Sequence, residues 1–350
     1  MRAGHDETLR TPARARLAPW LLGVVLLVAT LWSLTAGQYP LSFDDQWHYL
    51  VQALGGETPL DAARSRLIGL VLFDIRAPRL AAAILIGAAL STSGAAFQSM
   101  FVNPLVSPGL LGVLAGASFG AALGMLAGAN WLVVQACAFA GGIVAVGLAL
   151  ALARSCQGDR LLLLILGGVI STALFTALLA AVKYVADPTN QLPAITYWLM
   201  GGLSRADSGT MLRAAPVFCL GMAGLFLLSR QLDLLSLGDE QAKSLGLEVG
   251  RVRLGLIAIA TVLCAGTVSI AGLVGWVGLI IPHAGRMLVG PANRTLLPTT
   301  ALLGGVYLLL VDDVSRLTFG VEIPLGILTA LVGIPFFPLV LGNARKPWGK

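Results

Sequence analysis

Charge is what this sequence lacks most. Asp, Glu, Lys and Arg together make only 11% of the 350 residues, against about 25% in an ordinary soluble domain. From Leu80 to Ala153 there is no Asp, Glu, Lys, Arg or His at all. With 57% apolar residues and a mean hydropathy of +0.86, a soluble protein would have too little polar material to cover its surface. Cysteine is scarce too. Cys137, Cys156, Cys219 and Cys264 stand singly in or beside apolar segments with no C-x-x-C pair, the pattern of packing residues rather than disulfides or metal ligands. Phosphate-loop, H-E-x-x-H and G-x-S-x-G motifs are missing, and His5, His48 and His283 are scattered. These absences exclude ATP binding through a phosphate loop, and they leave a membrane enzyme without a nucleophile–base set.

What is present is glycine, 42 residues of it, and long apolar runs. A spanning helix needs about 20 apolar residues, and glycine lets such helices approach closely in lipid. Asn103-Pro104 with Pro108, and Gly128-Ala129-Asn130, divide the longest run. The expected spans lie near 17–36, 79–100, 109–128, 131–153, 161–185, 212–230, 252–274, 276–289, 296–316 and 324–342. The fold class is all-α: a polytopic membrane protein with about ten transmembrane helices, forming one transmembrane domain over 1–350. The basic stretch Arg2–Arg16 before Leu17–Ala36 imitates a signal peptide. Its apolar core is too long and Ala36-Gly37-Gln38 is a poor cleavage site, so it is read as the first span.

An even number of spans puts both termini on one side. With the tail 1–16 in the cytoplasm, the inner segments carry 15 of the 23 Lys and Arg and 7 of the 17 acids. Net charge is then +8 inside and −2 outside, so both termini are expected to be cytoplasmic. The basic balance is a topology signal, and nothing argues for nucleic acid.

Gly112, Gly116, Gly120, Gly124 and Gly128 recur every fourth residue, a groove along one face of the third span. Leu254–Gly285 is too long for one crossing and short for two, so a broken helix is expected there. Gly94 and Pro104 share their spacing with Gly272 and Pro282, which hints at an inverted repeat. Asp312-Asp313 with Arg316 fall near the outer end of the ninth span, where they can reach water or each other. An ion-coupled carrier working alone would show carboxylates nearer mid-membrane. The most polar inner stretch is the loop over 234–251 and the two residues after it. Asp239 and Glu240 open a short helix there, Lys243 lies later in it, and Gly246 stops it. It reads equally as an ordinary loop and as a knob for a soluble partner.

Several blocks are recognisable: Arg76-Ala-Pro-Arg79, Ser93-Gly-Ala-Ala-Phe-Gln98, Asn103-Pro104-Leu105 with Pro108-x-Leu-Leu-Gly112, and Tyr197-Trp-Leu-Met-Gly-Gly202. They continue with Leu237-Gly-Asp-Glu-x-Ala-x-x-Leu-Gly246, Gly278-Leu-Ile-Ile-Pro-His283 with Arg286, Asp312 through Arg316, and Pro324-Leu-Gly326. In that order, from Arg76 to the C-terminus, the chain resembles the FecCD-type membrane permeases of ABC importers for iron–siderophore complexes, haem and cobalamin.

The resemblance implies a homodimer in the bacterial inner membrane, two copies of a cytoplasmic ATPase, and a periplasmic substrate-binding protein. No cofactor is expected on this chain, since ATP and Mg belong to the partner ATPase, and surrounding lipid is its other partner. Gly238, Asp239, Glu240, Ala242, Leu245, Gly246 and Leu247 match the family's coupling helix, which decides for the knob. Arg76, Arg79 and Arg316 match outward-facing arginines that dock the binding protein through charge pairing. The fifth span is expected to line the path, with Gly167, Gly168, Ser171, Thr172 and Thr176 as candidates. His283 is read as structural.

Two departures bear on cargo. Asp187-Pro188-Thr189-Asn190-Gln191-Leu192-Pro193 looks closer to a branch that includes molybdate or tungstate importers. Arg205 stands where a small residue is expected, and facing the vestibule it would favour an anion. The sequence-based expectation is a metal chelate, foremost iron–siderophore, with haem, cobalamin, molybdate or tungstate as alternatives.

Overall fold

The computed structural model describes residues 13–37, 39, 41–57, 60–318 and 321–343. Among these, every regular element is helical. Seven helical segments are long and apolar enough to cross a membrane. They are α1 (Ala13–Thr35), the joined run Ala62–Met100 that ends in α4 (Ala77–Met100), α6 (Trp131–Ser155), α7 (Arg160–Val185), α9 (Ser208–Leu227), α12 (Val249–Ala271) and α14 (Asn293–Leu317). The remaining expected spans are the shorter apolar helices α5 (Val113–Leu126), α13 (Val277–Val289) and α15 (Leu325–Asn343). Residues 1–12 of the basic tail, with Arg2 and Arg10, and Arg345, Lys346 and Lys350 lie outside the described residues, so that part of the charge argument meets no structure.

The glycine seams are the main reason the bundle packs as it does. Gly116 and Gly120 in α5 press on the carbonyls of Gly141 and Cys137 in α6, and Gly141 presses back on Gly116. A Cβ at any of these positions would overlap facing backbone, so α5 and α6 touch as only small residues allow. A second seam escaped the sequence reading: Gly87 in α4 faces the Gly304 carbonyl in α14, and Gly94 faces the Gly278 carbonyl in α13. Its small residues fall on three separate helices, so no single-strand periodicity displays it. α4 is thereby the buried axis, its spanning window 83% buried. The N-terminal span is the opposite case, 6% buried, with Trp20, Leu21, Leu27 and Val28 on its open face.

Three expectations are corrected. The third span is not a helix over 109–128. A 3-10 turn, Pro108–Leu111, leads to Gly112 at φ +86°, and only then does α5 begin. Its 14 residues reach about 21 Å, less than the ~30 Å hydrocarbon core. The matched spacing around Gly94 and Gly272 reflects no matched role. Gly94 sits inside a continuous helix, whereas Gly272 at φ +66° ends α12. The break expected within Leu254–Gly285 is therefore real, running from Gly272 to Trp276. Asp312 and Asp313, lastly, reach no water: they are 0% and 3% exposed.

Five elements went unseen in the sequence: α2 (Phe43–Ala53), α3 (Ala62–Gly69), α8 (Gln191–Leu199), α10 (Ser229–Leu235) and a π-helical turn, Leu70–Arg76, joining α3 to α4. α2 carries a reciprocal capping box between Ser42 and Asp45. Asp45 also holds Arg64 of α3 at 3.0 Å, and that guanidinium keeps its carboxyl below the usual carboxylate range.

Candidate functional site

Residues 234–251 contain the short helix that the sequence suggested. α10 ends at Leu235 and the chain turns through Gly238, at φ +101° and ψ 158°, into α11 (Asp239–Ser244). Asp239 and Glu240 occupy the first turn and Lys243 the last, the order that complements the helix dipole. The helix closes as a Schellman motif. Gly246 N–H donates to Lys243 O at 2.9 Å and Leu247 N–H to Ala242 O at 3.0 Å, with Gly246 at φ +84°. Ala242 is fully buried and Leu247 packs against the main core, whereas Leu245 is 59% exposed. Glu240, Gln241, Lys243 and Ser244 are exposed with it. The result is a rooted knob with a mixed polar and leucine face.

Two clamps fix this knob to spanning helices. Arg253, the fifth residue of α12, forms a two-pronged ion pair with Asp239: Nη1 to Oδ2 at 3.0 Å and Nη2 to Oδ1 at 2.6 Å. The same hydrogen bonds hold the Asp239 carboxyl below the usual carboxylate range. Behind it, Asp233 Oδ1 of α10 accepts from the backbone N–H and Nδ2 of Asn293, both at 2.8 Å. Asn293 Oδ1 in turn accepts from Ser99 Oγ at 2.8 Å. α11 is thus bonded directly to α12, and α10, which leads into it, to α14 and through Asn293 to α4. Arg253, Asp233 and Asn293 were missed as site residues because each partner lies at least 14 positions away in sequence.

At the far ends of those helices sit the three arginines. α14 has 25 residues and so spans about 37 Å between the two sites. Arg79 chelates Asp312 (Nε to Oδ2 2.9 Å) and reaches Glu322 at 2.6 Å. Arg316 pairs with Asp313, which also accepts from Ser33 Oγ at 2.5 Å, and donates to Ala36 O at 2.5 Å. Arg76 donates to the carbonyls of Leu34, Thr35 and Tyr39. Two of these cations thus cap the C-terminal carbonyls of α1, as a helix C-terminus favours. All three are gathered at one end of the bundle with internal partners: Arg79 and Arg316 compensate the buried Asp312 and Asp313, and Arg76 bonds to backbone carbonyls alone.

Beside this end, three irregular segments bond to one another. Gly202 N–H donates to Ala271 O at 2.8 Å, Leu325 N–H to Gly201 O and Gly326 N–H to Met200 O, both at 3.0 Å. Broken backbone at membrane depth needs such mutual satisfaction, and the Tyr197–Gly202, Gly272 and Pro324–Gly326 blocks meet here to supply it. Trp276, at φ +66°, packs against Gly333 in the same break.

The path candidates divide. Gly167 and Gly168 press on the carbonyls of Ala149 and Leu110, and Ser171 is buried with its hydroxyl donating to Ala145 O at 2.7 Å. These three pack α7 against its neighbours within the subunit. Thr172 bonds back to Gly168 O at 2.8 Å and is half-buried, and Thr176 is exposed. Arg205 lies 4.4 Å over the ring of Trp131, a cation–π contact that parks its charge on the protein's own surface. Among the described residues, no cluster of His, Cys, Asp and Glu could hold a metal ion, and all four cysteines are free.

Residues 25–342 match the model of the FecCD transport family. The chain is 37% identical to the molybdate import system permease protein MolB of Haemophilus influenzae, over 93% of its own length and 95% of that protein's. It is 38% identical to the cobalamin import system permease protein BtuC of Halobacterium salinarum, over 81% and 76%. Identity is 33% with the hemin transport system permease protein HmuU of Yersinia pestis, over 95% and 97%. In shape it is similar to a metal-chelate type ABC transporter solved in an inward-facing conformation, at a TM-score of 0.83 and 35% identity, over 93% and 98% of the two chains. The chain belongs to the FecCD transport family. It is a multi-pass membrane permease, the transport subunit of an ABC importer.

Proposed function

We propose that this chain works as a homodimer in the bacterial inner membrane, both termini cytoplasmic, and carries a metal chelate inward when a separate ATPase pair hydrolyses ATP. The observation that carries the reading is α11: a glycine-hinged knob with an exposed leucine, bonded through Arg253 to α12 and through α10 to α14. Nucleotide-driven closure of the ATPases would shift the two knobs of the dimer. The shift would travel along helices about 35 Å long to the broken segments at the opposite end. Thr172 and Thr176 of α7 remain candidates for the path, and the chain itself breaks no bond.

The end carrying Arg76, Arg79 and Arg316 is the docking face for the substrate-binding protein in this reading. Because these arginines pair internally, the binding protein's carboxylates would have to join or exchange with Asp312, Asp313 and Glu322. Docking would then be salt-sensitive. Arg205 is a further arginine at that end.

Cargo has two readings. A metal chelate such as iron–siderophore is supported by the likeness to the solved metal-chelate type transporter. A molybdate-class oxyanion is favoured by the coverage shared with MolB and by the segment Asp187–Pro193, in which Asp187 accepts from Thr189 and Asn190. Uptake of labelled ferric siderophore, haem and molybdate, in cells with and without this gene, separates them. Loss of an iron form on deletion supports the first reading, loss of molybdate alone the second, and loss of neither refutes both.

A further inference from the structure

At the α11 end, a cleft of about 660 Å³ opens between the last turn of α6 and the first turns of α7 and α12. Arginine dominates its polar wall: Arg154, Arg160, Arg251 and Arg253. Arg251 already pairs with Glu248 at 2.5 Å, on the surface, and Arg253 with Asp239. Arg154 and Arg160 have no ion-pair partner among the described residues. Arg253 is only 6% exposed, and its Nε has no hydrogen-bond partner among the described residues. Gln157 is the one further polar side chain of the lining, and the deeper wall is apolar, with Leu150, Leu163, Leu254 and Ile257 following the helices toward mid-bundle.

Unpaired cations at the mouth and aliphatic side chains behind them describe the complement of an amphiphile with an anionic head. We infer that this cleft binds an anionic phospholipid, its phosphate held by Arg154 and Arg160 beside Arg253, its acyl chains against Leu150, Leu254 and Ile257. Basic clefts between spanning helices on the cytoplasmic side bind lipid headgroups in this manner, and the charge of that leaflet supplies the ligand. The inference rests on the proposed cytoplasmic placement of α11. It adds a role for lipid that the coupling reading does not contain. A phosphate beside Arg253 sits next to the ion pair that holds α11 to α12, so lipid occupancy would stiffen the coupling helix.

The test uses the purified full-length permease without its ATPase, so that it is independent of coupling. Native mass spectrometry would compare retention of phosphatidylglycerol and phosphatidylcholine by the wild type, by Arg154→Gln/Arg160→Gln and by Arg154→Lys/Arg160→Lys. The wild type is expected to retain phosphatidylglycerol selectively. The glutamine pair should bind it roughly 30-fold more weakly, at the usual contribution of two surface cations, and the lysine pair should keep most of the preference. Equal retention of the two lipids, or undiminished retention by the glutamine pair, overturns the inference. Displacement of the lipid by millimolar inorganic phosphate assigns the cleft to a free anion and overturns it as well. If the glutamine pair keeps the lipid and, in a separate co-purification, loses its ATPase, the inference is overturned and the arginines belong to the ATPase contact.

Discussion

Replacing Gly238 and Gly246 together by valine should separate ATP hydrolysis from transport while the helical bundle stays folded. Gly238 combines φ +101° with ψ 158°, a region open to glycine almost alone, where another residue costs about 1–3 kcal/mol. Gly246 sits at φ +84° with open space where a Cβ would go, so its penalty is conformational only, roughly 1–2 kcal/mol. Against a combined ~2–5 kcal/mol, α11 has six residues and a single buried side chain, Ala242, whose burial is worth about 1 kcal/mol. The Arg253–Asp239 pair adds to that hold, so the strain is of the same order as what anchors the helix; the loop relaxes locally and the docked form falls to about a tenth of the population. In proteoliposomes with the ATPase and binding protein, cargo moved per phosphate released should drop by about tenfold while hydrolysis continues. Gly246→Asn, which tolerates a left-handed backbone, should be milder. A double valine variant that transports with an unchanged ratio would refute the reasoning.

The clamp on α11 should be asymmetric. Asp239→Ala strands a buried guanidinium and should cost about 3–5 kcal/mol locally, whereas Arg253→Met leaves a half-exposed carboxylate and should cost less, as hydrogen exchange of residues 239–247 would record. Because Arg253 holds the Asp239 carboxyl below its ordinary value, its stabilisation is complete above the unfolded value near pH 4. It is lost only as pH falls through the lower folded value. Exchange protection of α11 should therefore be flat from pH 7 to 5 and decline below about pH 4, and Asp239→Asn should abolish that dependence. At the opposite end, Arg79→Ala leaves Asp312 buried without its main partner and should lower stability by about 3–5 kcal/mol, read as a large drop in melting temperature in detergent. Gly94→Val should destabilise α4 by driving a side chain into the Gly278 carbonyl, while Gly147→Ala, with nothing within 4 Å, should be neutral in the same assay.

Length of apolar runs and their breakers placed the spanning helices to within a few residues, because in lipid every backbone group must be satisfied within its own helix. The same rule explains what was legible least. Where backbone leaves the helix, as at Met200, Gly201 and Gly202, its partners come from distant segments, and no window of sequence contains both. The coupling loop was readable from its glycines and from the order of Asp239, Glu240 and Lys243. Its anchor was not, since Arg253 lies fourteen residues from Asp239 on another helix. The arginines were legible in the sequence as a set, and their internal partners were not. Asp312 and Asp313 looked solvent-accessible near a helix end, but Arg79 and Arg316 fold over them, and α1 covers what remains. Gly167, Gly168 and Ser171 show the general difficulty in α7: small residues that open a path and small residues that close a seam are the same residues in sequence.

The most direct test of the central claim is transport by the purified permease in proteoliposomes, with its ATPase and binding protein added or omitted and with an ionophore present throughout. A binding-protein-dependent ABC permease will accumulate cargo only when both partners and ATP are supplied, at a rate the ionophore leaves unchanged. Accumulation by this chain alone, driven by a proton or sodium gradient and collapsed by the ionophore, would contradict it.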